Sequence, residues 1–137
     1  MRTAIDTNIL SALWSNEPLA SRIANQLAEA HAQGGLVICA PVYAELLAHP
    51  SASERFVHQF LEETGVAVDF GLTKEIWRQA GRGFAAYVHR RRRSGGGSAK
   101  RLLVDFIVAA HALRSADRLM TLDPSHYARD FPRLHVV

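Results

Sequence analysis

Asp6, Glu45, Asp105 and Asp123 are the residues of this sequence most able to do chemistry, because each sits where a free carboxylate is awkward to place. Asp6 follows the apolar run Ala4-Ile5, and Asp123 follows Leu119-Met-Thr121, so both acids are expected at strand ends. Glu45 lies in Val42-Tyr-Ala-Glu-Leu-Leu47. Asp105 lies in the stretch Leu102 to Leu113, which has ten apolar residues in twelve. A helix apolar on every side is expected to be buried, and an ionised acid within it is costly unless it is paired or metal-bound. Each acid also has a plainer role: a helix cap for Asp6 and Asp123, a dipole or surface position for Glu45, a buried ion pair for Asp105. Gathered at one sheet edge, four carboxylates would repel unless cations intervened. An oxygen-only donor set favours magnesium, or manganese, over zinc. Magnesium held by few carboxylates keeps waters and takes phosphate oxygens, as phosphodiester hydrolysis requires.

The elements that must position these acids alternate in type. Thr3–Ile5, Leu36–Cys39, Val66–Val68 and Arg118–Thr121 read as strands, and Leu134–Val137 as a terminal one. Helical patterns run from Asn8 to Trp14, Ala20 to Ala32 and Pro41 to Leu47, then Ser53 to Glu63, Thr73 to about Arg91, Leu102 to Leu113 and Pro124 to Arg129. Gly81 and Gly83 weaken the long helix, and Ser94-Gly-Gly-Gly-Ser98 reads as a flexible break. Strands separated by helical crossovers predict a three-layer α/β/α fold. Its central, mostly parallel sheet has four to five strands, with helices on both faces. The Gly-rich stretch is short and lies between two helices, so residues 1–137 read as one domain.

Composition narrows the class. The chain has 137 residues, 48% of them hydrophobic, enough for one core. Its one cysteine, Cys39, excludes an internal disulfide, suits a reducing compartment and reads as a buried small hydrophobe. No signal peptide or membrane span is visible, so a cytoplasmic, soluble protein is expected. The seven histidines form no paired metal spacing, and His111 reads as a satisfied helix residue. The net charge is +3, but six of the 16 Lys and Arg residues fall between Arg90 and Arg101, with no acid among them. Arg90, Arg91, Arg92 and Arg93, in a basic Gly-rich loop around 90–101, are candidate contacts for a polyanion. A solvated helix end explains them equally well.

The motifs, taken in order, resemble PIN-domain nucleases. Ala4-Ile-Asp6-Thr-Asn8-Ile-Leu10 is similar to the opening motif of that family, and Glu45 in its helix to the second acid. Val104-Asp105-Phe-Ile-Val-Ala-Ala-His111-Ala resembles the third-acid helix, and Thr121-Leu-Asp123-Pro-Ser-His126-Tyr127 the segment of the fourth. In size and style the chain is most like VapC-type toxins of toxin–antitoxin pairs. The resemblance implies a metal-dependent endoribonuclease acting on structured RNA, neutralised by a protein antitoxin and commonly paired as a homodimer. Asp6 and Asp105 would hold the main magnesium, and Glu45 and Asp123 would complete the pocket directly or through water. Asn8 and Thr121 would fix the geometry of these groups, or merely cap the local backbone. The Arg90–Ser98 stretch is no part of the shared motifs.

Three other classes share features with this sequence. A haloacid-dehalogenase-type phosphatase needs a second acid two residues after the first, where this chain has Asn8. A non-catalytic RNA-binding or regulatory module would not need all four acids. A structure-specific DNA nuclease usually carries additional helices, for which 137 residues leave little room.

Overall fold

A computed structural model describes residues 1–95 and 102–137. The apolar runs become four short strands: β1 (Thr3–Ile5), β2 (Leu36–Cys39), β3 (Val66–Asp69) and β4 (Arg118–Met120). All pair in parallel, in the order β3-β2-β1-β4. Every residue of β1 and β2 is buried. Since successive side chains point to opposite faces, both faces of the sheet are covered, as the expected three-layer architecture requires.

Seven helices are present among the described residues: α1 (Thr7–Trp14), α2 (Ala20–Gln33), α3 (Ala40–Leu46), α4 (Glu54–Thr64), α5 (Lys74–Arg93), α6 (Leu103–Ser115) and α7 (Pro124–Ala128). Their limits follow from local chemistry. The hydroxyls of Ser53 and Thr73 accept from the amides of Phe56 and Ile76 and so cap α4 and α5. Gly65, at φ +70°, ends α4 in the left-handed conformation that glycine adopts without strain. None of the described helices is long and apolar enough to cross a membrane.

Two expectations change. The terminal strand is an isolated parallel bridge, Leu119 to Val136, in which the Val137 amide donates to the Leu119 carbonyl. The sheet therefore has four strands. The long helix expected from Thr73 to about Arg91 is present as α5 and runs for 20 residues. At Gly83 a Cβ would lie 3.1 Å from Phe106 and 3.3 Å from Phe131, so the missing side chain lets α5 approach α6 closely. Finally, Arg90–Arg93 do not belong to a loop. They form the last turn of α5, where basic side chains complement the helix dipole. The rest of the expected basic loop, with Lys100 and Arg101, lies outside the described residues.

Two expected core positions are buried as read. His111 is 1% exposed and bonds Asp69 at 3.0 Å. Cys39 is buried, and desolvation pushes its thiol up to about 11. At neutral pH the thiol is therefore protonated and shielded, two reasons for it to be inert. Maleimide labelling of the folded protein at neutral pH should be negligible, and should become complete on denaturation. Rapid labelling of the folded state would contradict the burial of β2.

Candidate functional site

All four strands point the same way, so their carboxyl ends share one edge. The chain order reverses between β1 and β4, which flank each other although β1 also pairs with β2. In parallel α/β sheets, ligands bind outside the carboxyl ends of the strands at such a switch point. Asp6 leaves β1 there, and Thr121 leaves β4.

Asp6 is 9% exposed and is held by three donors. The Thr7 amide donates to Oδ1 at 2.8 Å, which makes Asp6 the cap of α1 as well. The Thr121 hydroxyl donates to Oδ2 at 2.9 Å, and the Tyr127 hydroxyl to the same oxygen at 2.7 Å. All three donors are neutral. Burial raises the Asp6 pKa above its ordinary value; the three hydrogen bonds lower it, and the nearby charge of Asp105 raises it further. No basic side chain among the described residues pairs with Asp6. A carboxylate has about four acceptor positions. Three are used, and the open one is on Oδ1.

Asp105 differs from its expected setting. It is not sealed inside α6 but lies in the first turn, where its side chain is 28% exposed. The Leu102 amide donates to Asp105 Oδ2 at 3.1 Å, a cap to the start of the helix. The His126 ring nitrogen Nε2 donates to the same oxygen at 3.2 Å. Asp105 Oδ1 accepts no hydrogen bond from the described residues.

The other two acids are exposed and reach Asp6 only through intermediaries. Thr7 donates its hydroxyl to Glu45 Oε1 at 2.7 Å, linking α3 to the start of α1. Asn8 donates to Asp123 Oδ2 at 3.3 Å and to the Thr121 hydroxyl at 3.2 Å, while its carbonyl accepts from the Leu122 amide at 3.1 Å. Asn8 therefore ties α1 to the segment after β4, instead of capping its own backbone. Asp123 starts α7 without capping it through its side chain. The four acids thus form a ring around the β1–α1 junction. Among the described residues, no three of the Asp, Glu, His and Cys side chains lie close enough together to hold one metal ion.

Sequence reasoning gave no role to Thr7, His126 or Tyr127. Tyr127 is 1% exposed, and its hydroxyl is one of two side-chain donors on the buried carboxylate. A signal was available: Tyr127 stands four residues after Asp123, one helical turn on, so it shares a face with the candidate acid.

Comparison with known proteins bears on this edge. The family model for the PIN domain matches residues 3–132. Among solved structures, VapBC2 of Rickettsia felis, crystallised bound to a DNA fragment from its promoter, is similar at TM-score 0.66 and 20% identity. That likeness covers 100% of this chain and 98% of the other. VapBC-1 of nontypeable Haemophilus influenzae is similar at TM-score 0.66 and 24% identity, covering 100% and 97% of the two chains. No curated protein matches significantly.

Proposed function

Because the chain belongs to the PIN domain family, and because its buried acid Asp6 feels the charge of Asp105 and pairs with no basic side chain among the described residues, we propose that it is a metal-dependent endoribonuclease. The second observation carries the reading. A buried carboxylate left uncompensated beside another acid is expensive to fold, and a bound divalent cation removes that cost.

The donor set fits magnesium or manganese. Magnesium characteristically uses one or two carboxylates and keeps several waters. Asp6 and Asp105 each leave Oδ1 able to accept, while Glu45 and Asp123 are tied to the same junction through Thr7 and Asn8 and would act through water. The bound cation would supply a water of lowered pKa and stabilise charge on the phosphoryl oxygen. The protein does the rest. Tyr127 and Thr121 fix the Asp6 carboxylate, His126 and the Leu102 amide fix Asp105, and Asn8 sets the position of Asp123 relative to Asp6.

The VapBC names of both solved neighbours support the finer assignment, a VapC-type toxin neutralised by a cognate antitoxin; pairing as a homodimer is part of the same proposal and rests on the family resemblance alone. Purified protein should cleave RNA only with magnesium or manganese, and lose all cleavage in excess EDTA. Asp105→Asn should reduce the rate by about a hundredfold or more at unchanged melting temperature, since losing even an outer-shell partner of a metal ligand costs roughly 10–100-fold. Cleavage that persists in EDTA would end the metal-dependent reading. Expression should arrest growth unless the partner encoded beside it is co-expressed.

A further inference from the structure

Asp6 and Asp105 share an arrangement that bears on the choice of cation. On Asp6, Oδ2 accepts twice, from the Thr121 hydroxyl at 2.9 Å and the Tyr127 hydroxyl at 2.7 Å. On Asp105, Oδ2 is again the doubly occupied oxygen, bonded by the Leu102 amide at 3.1 Å and by His126 Nε2 at 3.2 Å. An ionised carboxylate has about two acceptor positions on each oxygen. Each acid therefore has one closed oxygen, and only Oδ1 is left to take a cation.

The closed oxygens are kept closed by their surroundings. The Asn8 carbonyl accepts from the Leu122 amide at 3.1 Å, which turns Nδ2 of Asn8 toward the Thr121 hydroxyl, 3.2 Å away. The Asp123 amide donates to that hydroxyl as well, at 3.2 Å. Both lone pairs of Thr121 are then used, and its one hydrogen is left for Asp6. Tyr127 is 1% exposed, so its hydroxyl has no route to solvent. The Leu102 amide is fixed by the first turn of α6.

One open oxygen per acid suits some cations better than others. Magnesium uses one or two carboxylates and completes its octahedron with water and phosphate oxygens. Calcium gathers about six to eight oxygens, often from carboxylates that bind through both of theirs. We propose that Tyr127 and His126, by occupying Oδ2 of Asp6 and of Asp105, select magnesium against calcium at this site. This rests on the nuclease reading above and adds which ion the site accepts. A brace that merely held the acids in place would serve both ions alike. A closed oxygen weighs on the ion that wants both.

The test titrates magnesium chloride and calcium chloride separately into the parent and its variants, without RNA, and reads each affinity by calorimetry. Tyr127→Phe keeps the ring and opens one position on Asp6 Oδ2. His126→Ala opens one on Asp105 Oδ2, at a side chain 36% exposed, and so guards against a folding defect at buried Tyr127. In each variant the ratio of calcium to magnesium affinity should rise at least about tenfold, the lower end of what partners of metal ligands contribute. His126→Gln, whose amide can still donate, should return most of the way to the parent ratio. Equal changes in both affinities, with the ratio unmoved in both variants, overturn the proposal and leave these side chains as braces. If that parent still cuts RNA with magnesium, the nuclease reading stands. A parent that binds neither ion also overturns the proposal, and the nuclease reading falls with it if no RNA is cut. A ratio shifted as expected in a protein that cuts no RNA supports the selectivity and sinks the nuclease.

Discussion

Asp6→Asn should abolish RNA cleavage, by on the order of a thousandfold or more, and at the same time make the protein more stable. The two effects share one cause. Burial raises the Asp6 pKa above 3.8, so the folded state holds this proton more tightly than the unfolded chain does. For an acid shifted in that direction, stability falls as pH rises from the unfolded value through the folded one, and the penalty persists above. The amide carries no charge and escapes the penalty. Its oxygen can still accept from Thr7, and the Tyr127 hydroxyl can turn to accept from the new amide group. At neutral pH the variant should therefore melt a few degrees above the parent, with the two curves converging below about pH 3.8. Magnesium reverses the ranking: it should raise the melting temperature of the parent by mass action and leave the variant unmoved. A parent whose melting temperature ignores magnesium and manganese at any concentration would rule out the proposed site.

Why the acids were visible in the sequence, and their geometry was not, is a matter of which forces act locally. Asp6 follows an apolar strand and precedes a helix, and both its cap role and its place at the sheet edge come from that adjacency. The sequence offers capping and chemistry as alternatives; the structure has one oxygen of Asp6 capping α1 and the other held by Thr121 and Tyr127. Asp105 was misplaced because a hydrophobic pattern reports the average environment of a helix and not that of its ends. The helix α6 is buried from Phe106 to Ala112, yet Leu102 and Leu103, just ahead of the acid, are 66% and 43% exposed. Its apolar start is surface, and Asp105 shares that half-open turn.

The arginine run was misread for a related reason. Glycine lowers intrinsic helix propensity, so Gly81, Gly83 and the Gly-rich segment weaken the local signal for α5, and its expected end near Arg91 falls short of Arg93. Packing overrules them, because the absent side chain at Gly83 admits Phe106 and Phe131. The longer helix carries Arg90 to the buried Asp130 and Arg91 to the wall of a cleft between α5 and α7, long-range relations that no local pattern encodes. The parallel sheet was legible, since near-continuous apolar runs between helices admit few other arrangements. Its missing fifth strand was not, because a segment as short as Leu134–Val137 pairs only as far as β4 extends beside it.

The same packing supplies the largest expected loss of stability. Phe106 is fully buried, with ring centres 5.4 Å from Phe84, 5.6 Å from Tyr87 and 5.9 Å from Phe131. It adjoins Asp105 in sequence and joins α5, α6 and the segment after α7, the three pieces that flank the acid and this cleft. Phe106→Ala removes the ring from a site that the surrounding helices cannot fully close. The expected cost is about 3–5 kcal/mol, against a total stability of about 5–15 kcal/mol for a typical domain. Thermal melting should fall by more than about 10 °C. Phe106→Leu keeps most of the volume and should lose less than half as much. Activity separates the two roles of this ring. At temperatures where the leucine variant is folded, its cleavage rate should stay near that of the parent, because the described ring contacts of Phe106 are with Phe84, Tyr87 and Phe131. A leucine variant that is stable but inactive would mean that Phe106 sets the position of Asp105, beyond holding α5 against α6.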